Sequence, residues 1–133
     1  MLPGSSALIV SNGEQANLAL RKLLYEAGLY VRLAGSCSEA REILTRSNAP
    51  AVMFSDTLLP DGTWLDILDL AKGTEHEVPV IVMPRLVDIN LYLNALDEGA
   101  ADFIVPPFYH QDITHVLKCA ASRGLAIQGA AAA

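Results

Sequence analysis

The chain has 133 residues, a little over half of them apolar, and 15 acids against nine bases give it a formal charge of −6. That length suits one domain with a two- or three-layer core, and charged residues interrupt every apolar stretch before the roughly 18 residues of a membrane span. The bases are scattered singly or in one pair, so direct nucleic-acid binding, which wants a clustered basic face, is not expected.

At the N-terminus, Met1 to Ser6 carries no basic residue and only four apolar residues follow, Ala7-Leu8-Ile9-Val10, so no signal peptide is visible and the cytoplasm is the expected compartment. Those four residues open a series of five apolar runs. The others are residues 29–34, Ala51-Val52-Met53-Phe54, Val80-Ile81-Val82-Met83 and Phe103-Ile104-Val105. All but the second are almost unbroken, as in strands buried on both faces, whereas Arg32 between apolar neighbours makes the second an edge strand.

A helical segment follows each run. Ala16, Ala19, Leu20, Leu23, Leu24 and Ala27 share one face of a first helix that Gly28 ends. Ser36-Cys37-Ser38-Glu39 has the pattern of a capping box and opens a second helix, stopped near Pro50. A third is expected over 63–71, a fourth over 87–98 ending at Gly99, and a fifth over 111–123 ending at Gly124. Strand and helix in strict alternation predict an α/β fold, a parallel sheet wrapped by helices. Residues 1–124 form the domain, and 125–133 read as a flexible tail or linker stub.

Cys37 and Cys119 show no CxxC or CxxH spacing and read as two small, partly buried hydrophobes, and no metal site is expected. In open parallel sheets ligands bind beyond the carboxyl ends of the strands. The residues there are Ser11-Asn12-Gly13, Ser55-Asp56-Thr57, Pro84-Arg85 and Pro106-Pro107-Phe108, and Asp56 is the single carboxylate among them. Pro60-Asp61-Gly62 makes a rigid turn just beyond it.

With Leu8-Ile9-Val10, Asp56 and Leu59-Pro60-Asp61-Gly62, Val78-Pro79-Val80-Ile81, Glu98 to Phe103 and Pro107-Phe108 in this order and spacing, the chain resembles the response-regulator receiver (CheY-like) family of two-component systems. The resemblance runs essentially without gaps over residues 7–123. It implies a doubly wound five-stranded parallel sheet of order 2-1-3-4-5 in a flavodoxin-like three-layer sandwich, with Asp56 at the phosphoacceptor position.

The family's supporting residues are largely replaced, which marks a degenerate receiver. Ser11 and Asn12 stand where an acidic pair helps hold Mg²⁺, so weak Mg²⁺ at Asp56 is the most to expect, and no other cofactor. Pro84 replaces the hydroxyl residue after the fourth strand, and Pro106 replaces the lysine before the last proline. Thr57 completes the pocket. Each lost electrostatic partner costs phosphoryl transfer on the order of 2–4 kcal/mol. Arg85 reads as a solvated loop residue or as a substitute cation, and the resemblance gives Pro107 a cis peptide bond.

Phe103 matches the family's aromatic switch residue. Trp64, beside the pocket mouth, reads either as a lid or as an exposed contact residue. The fourth helix is apolar all round; Leu93 and Leu96 can serve the core, leaving Ile89 or Tyr92 as a surface anchor. The resemblance implies a receiver domain that signals through contacts with a histidine kinase or other signalling protein, not an enzyme, and a homodimer through the face of the fourth helix, fifth strand and fifth helix. Two alternatives stand beside it: an atypical but functional phosphoacceptor modified at Asp56, and a small-ligand binder or enzyme using the same crevice. Against the last, His76, His110 and His115 have no evident Ser, Cys or metal-spacing partner in sequence.

Overall fold

Three strands, buried but for Ser6 and Asp56, make the centre of the molecule: β1 (Ser6–Val10), β3 (Val52–Asp56) and β6 (Val80–Met83). The computed structural model describes residues 5–46, 48–84 and 88–132. With β2 (Tyr30–Ala34) on one edge and the two-residue β7 (Asp102–Phe103) on the other, they form a parallel sheet in the order β2-β1-β3-β6-β7. The order is that of the doubly wound fold, and Arg32 lies on an edge strand as its sequence context predicts.

Period-two alternation sends successive side chains to opposite faces. Leu8, Val10, Met53, Val80 and Val82 face a core shared with α2 (Cys37–Arg46), α3 (Trp64–Lys72) and α4 (Ile89–Glu98). Ala7, Ile9, Val52, Phe54 and Ile81 face a second core shared with α1 (Glu14–Glu26) and α5 (His110–Ala132). Each large side chain there, Phe54 or Ile81 for example, contributes about 1.5–3 kcal/mol by leaving water.

Helix ends follow local chemistry. Gly28 after α1 and Gly99 after α4 adopt positive φ (+90° and +108°), which glycine tolerates and most residues do not. Glu39 N–H donates to Ser36 Oγ at 3.1 Å, while the Glu39 carboxylate reaches past Ser36 to the Gly35 N–H at 2.8 Å. A small antiparallel hairpin, β4 (Leu58–Leu59) and β5 (Gly62–Thr63), carries the Pro-Asp-Gly turn. From that turn, Asp61 accepts hydrogen bonds from the N–H groups of Cys37 (2.7 Å) and Ser38 (3.0 Å), capping α2 from another part of the chain. Those bonds hold the Asp61 carboxyl below its ordinary range, and burial pushes the Cys37 thiol up to about 11.

Three boundaries differ from expectation, the fifth strand among them: it covers Asp102–Phe103, half-buried at the sheet's edge, in place of a doubly buried run over 103–105. Asp88 caps α4, accepting from Leu91 N–H at 3.1 Å, so the helix starts at Ile89, and Val87 lies outside the described residues. α5 continues through Gly124 to Ala132. A glycine inside a helix costs only about 1 kcal/mol relative to alanine, and the alanines beyond it are the strongest helix formers.

Candidate functional site

Asp56 is the last residue of β3 and emerges at the carboxyl end of the sheet's central strand. Ser11 directly follows β1, and its N–H bonds to Ala34 O at 2.9 Å, extending the ladder one residue past the strand. That places the Ser11 hydroxyl against Asp56. Ser11 Oγ–H donates to Asp56 Oδ2 at 2.7 Å, and the Asn12 backbone N–H donates to the same oxygen at 3.2 Å. Ser11 Oγ in turn accepts from Gly13 N–H at 3.1 Å. The two positions expected to matter to a metal therefore act as hydrogen-bond donors to the carboxylate, and Asn12 does so through its backbone.

A cavity of about 500 Å³ opens beside Asp56, lined by Thr57, Leu58, Met83 and Pro84 and, from the start of α4, by Asp88 and Leu91. Asp88 is a second carboxylate that reading the strand ends alone does not find, because it enters from the helix that follows the loop. Its signal in sequence is an Asp three residues before Leu91, the N-cap pattern. Thr57 supplies the one side-chain hydroxyl of that lining among the described residues, and Pro84 supplies neither hydroxyl nor N–H. Pro106 and Pro107 are joined by a cis peptide bond. Arg85 lies outside the described residues.

Trp64 is neither lid nor exposed contact. It is 6 % exposed and packs in the core with Leu59, Ile67 and Leu68, because α3 starts at this residue and turns its first position inward. Thr63 caps that start, accepting from Leu65 N–H, while Asp66 accepts from Thr63 N–H at 2.9 Å.

On α4 the expectation is corrected in part. Ala95 and the half-buried Leu91 serve the core, while Leu93 (54 %) and Leu96 (39 %) are exposed together with Ile89 (70 %). A helix apolar on every side cannot be phased by hydrophobicity alone, and the small Ala95 takes the position nearest the sheet. Tyr92 is only partly exposed: its ring lies 4.5 Å from that of Phe103, centroid to centroid, tilted by 36°.

His115 and Cys119 are also nearer to other groups than the sequence reading allows. One turn apart on α5, they bring His115 Nε2 to 3.6 Å from Cys119 Sγ and 3.4 Å from Asp102 Oδ2 on β7. The i, i+4 spacing was the available signal.

A sheet of order 2-1-3-4-5 in strand sequence, with a strand-end aspartate over a crevice, is the architecture shared by receiver and flavodoxin-type folds. The family model described as "Response regulator receiver domain" matches residues 7–118, and the chain belongs to that family. Among similar proteins, the regulatory protein LuxO of Vibrio vulnificus is 29% identical over 87 residues, covering 65% of this chain and 19% of LuxO. The transcriptional regulatory protein CusR of Escherichia coli is 26% identical over 120 residues, covering 90% of this chain and 52% of CusR. The chain thus spans between a fifth and a half of these relatives' length. A putative response regulator from Chloroflexus aurantiacus, 25% identical, superposes with a TM-score of 0.78 over 89% of this chain and 98% of that one. No described helix is long and apolar enough to cross a membrane.

Proposed function

We propose that this receiver domain is atypical: it signals in a two-component pathway through protein contacts, and phosphorylation of Asp56 is impaired. The observation that carries the reading is the Ser11 hydroxyl donating to Asp56 Oδ2 at 2.7 Å. A transferring phosphoryl group needs a divalent cation, a fixed cation and a hydroxyl donor around the attacking carboxylate. Here one carboxylate oxygen is already engaged by two protein donors, and Pro84 and Pro106 stand where the family has a hydroxyl and an ammonium.

Mg²⁺ prefers several oxygen ligands in near-octahedral array and usually relies on carboxylates. Ser11 Oγ already donates to Asp56 and accepts from Gly13, and one Asp88 oxygen caps α4. This donor set fits a tightly held Mg²⁺ poorly, and no step of the proposed activity runs through one.

The exposed stripe Ile89, Leu93 and Leu96, spaced by four and three residues on α4, supports a contact role. It lies beside the Tyr92–Phe103 pair on the face of α4, β7 and α5, which suits a histidine kinase, another signalling protein or a second copy of the chain, in the cytoplasm. Incubation with Mg²⁺ and acetyl phosphate, followed by intact-mass spectrometry, tests the reading. Unmodified protein is expected. A stoichiometric phosphoryl adduct that disappears in Asp56→Asn would establish a working phosphoacceptor and end the proposal.

A further inference from the structure

Apart from the crevice lining, three side chains with different donor atoms converge between β7 and α5. Asp102, His115 and Cys119 each offer one ligand atom, and all three atoms lie within 4.8 Å of one another. The trio owes nothing to Asp56 or its cavity. α5 supplies the imidazole and the thiol one turn apart on the same side, and the edge strand β7 supplies the carboxylate.

We propose that these residues bind a zinc-type divalent cation. A tetrahedral zinc takes about 2.3 Å to sulfur and about 2.0 Å to nitrogen or oxygen, which places its ligand atoms about 3.6 Å apart for S and N and about 3.3 Å apart for N and O. The observed separations are 3.6 Å from Cys119 Sγ to His115 Nε2 and 3.4 Å from His115 Nε2 to Asp102 Oδ2. Two of the three separations thus match a shared zinc, and the third pair, Cys119 Sγ and the Asp102 carboxylate, lies within 4.8 Å.

The carboxylate is oriented for the role. Phe103 N–H donates to Asp102 Oδ1 at 2.8 Å, which fixes the group and leaves Oδ2 toward the histidine, as outer hydrogen bonds fix metal ligands generally. The Asp102 side chain is 14 % exposed, so it is held in place, while His115, 71 % exposed, leaves the site open for the ion and a water as fourth ligand. One sulfur, one nitrogen and one oxygen make a borderline-soft set, which selects zinc over Mg²⁺ or Ca²⁺.

Titration calorimetry of the whole chain with Zn²⁺ in the presence of excess Mg²⁺ tests this, alongside absorption spectra with Co²⁺ as a probe. We expect saturation at one Zn²⁺ per chain, a rise in melting temperature with Zn²⁺, and a thiolate-to-cobalt charge-transfer band. Cys119→Ser should abolish the band and Cys37→Ser should keep it. Cys119→Ser and His115→Ala should each weaken Zn²⁺ by about tenfold or more, while Asp56→Asn should leave it unchanged. Circular dichroism checks that each variant keeps the fold, the buried Cys37→Ser above all, since His115, Cys119 and Asp56 are exposed or half-buried. Absence of saturable binding, or binding indifferent to both His115→Ala and Cys119→Ser, would reduce the trio to a hydrogen-bonded cluster and overturn the proposal.

Discussion

Ser11→Asp returns a carboxylate to the position where the family carries an acid, and its cost can be worked from the structure. Ser11 is 6 % exposed and its hydroxyl sits 2.7 Å from Asp56 Oδ2. Two carboxylates about 4 Å apart repel by about 4 kcal/mol at the effective dielectric of about 20 that suits such sites. Protonating one of them at pH 7 is no cheaper: about three units above an ordinary aspartate pKa, at 1.36 kcal/mol each, is again about 4 kcal/mol. The lost hydrogen bond to a charged acceptor adds about 1.5–3 kcal/mol, and movement of the longer side chain toward solvent removes part of the sum. We expect a net loss of about 3 kcal/mol, a large share of a domain's total stability. Urea unfolding followed by the fluorescence of Trp64, the single tryptophan, measures it in EDTA and in Mg²⁺. The variant should regain stability with Mg²⁺ while the parent stays unchanged. If the parent's midpoint rises with Mg²⁺ as far as the variant's, or the variant loses less than about 1 kcal/mol, the electrostatic account of this pocket is wrong.

Other substitutions probe the frame around the site. Trp64→Ala empties a core position and should cost about 3–5 kcal/mol in equilibrium unfolding, whereas a surface residue would cost little. Asp61 has a carboxyl held below its ordinary pKa by the Cys37 and Ser38 N–H groups, so its contribution is complete above the unfolded value near 4 and fades as pH falls through the lower folded value. Midpoints of the parent and Asp61→Asn, measured from pH 7 to pH 3, should converge toward acid; a pH-independent gap would contradict the assignment. In Gly62→Ala the new Cβ would collide with the Asp66 carboxylate and lie 2.9 Å from Cys37 Sγ, disturbing the cap of α3 and costing about 1–3 kcal/mol. Unchanged stability there would mean that Asp66 swings aside without loosening Thr63.

The three central strands were legible because burial on both faces leaves an unmistakable apolar run, and the position of Asp56 followed from where the third run ends. The inner side of α4 was not. With Ile89, Leu91, Leu93 and Leu96 all apolar, composition gave no phase, and only packing shows that Ala95 faces inward. Trp64 failed differently: at the first turn of a helix one residue of uncertainty in the start swings a side chain from solvent to core. Asp88 and the Asp102–His115–Cys119 group depend on contacts between separate elements, of which the cap pattern at Asp88 and the four-residue spacing of His115 and Cys119 give only a part.

Because neighbouring residues of β1, β3 and β6 belong to different cores, the sheet acts as a partition between two apolar compartments. Damage to the compartment behind α1 and α5 should leave the other nearly intact, and effects of substitutions on opposite sides should sum, save where they meet in the strands themselves. Those three strands are the shared wall, and their amide protons should be the last to exchange with solvent.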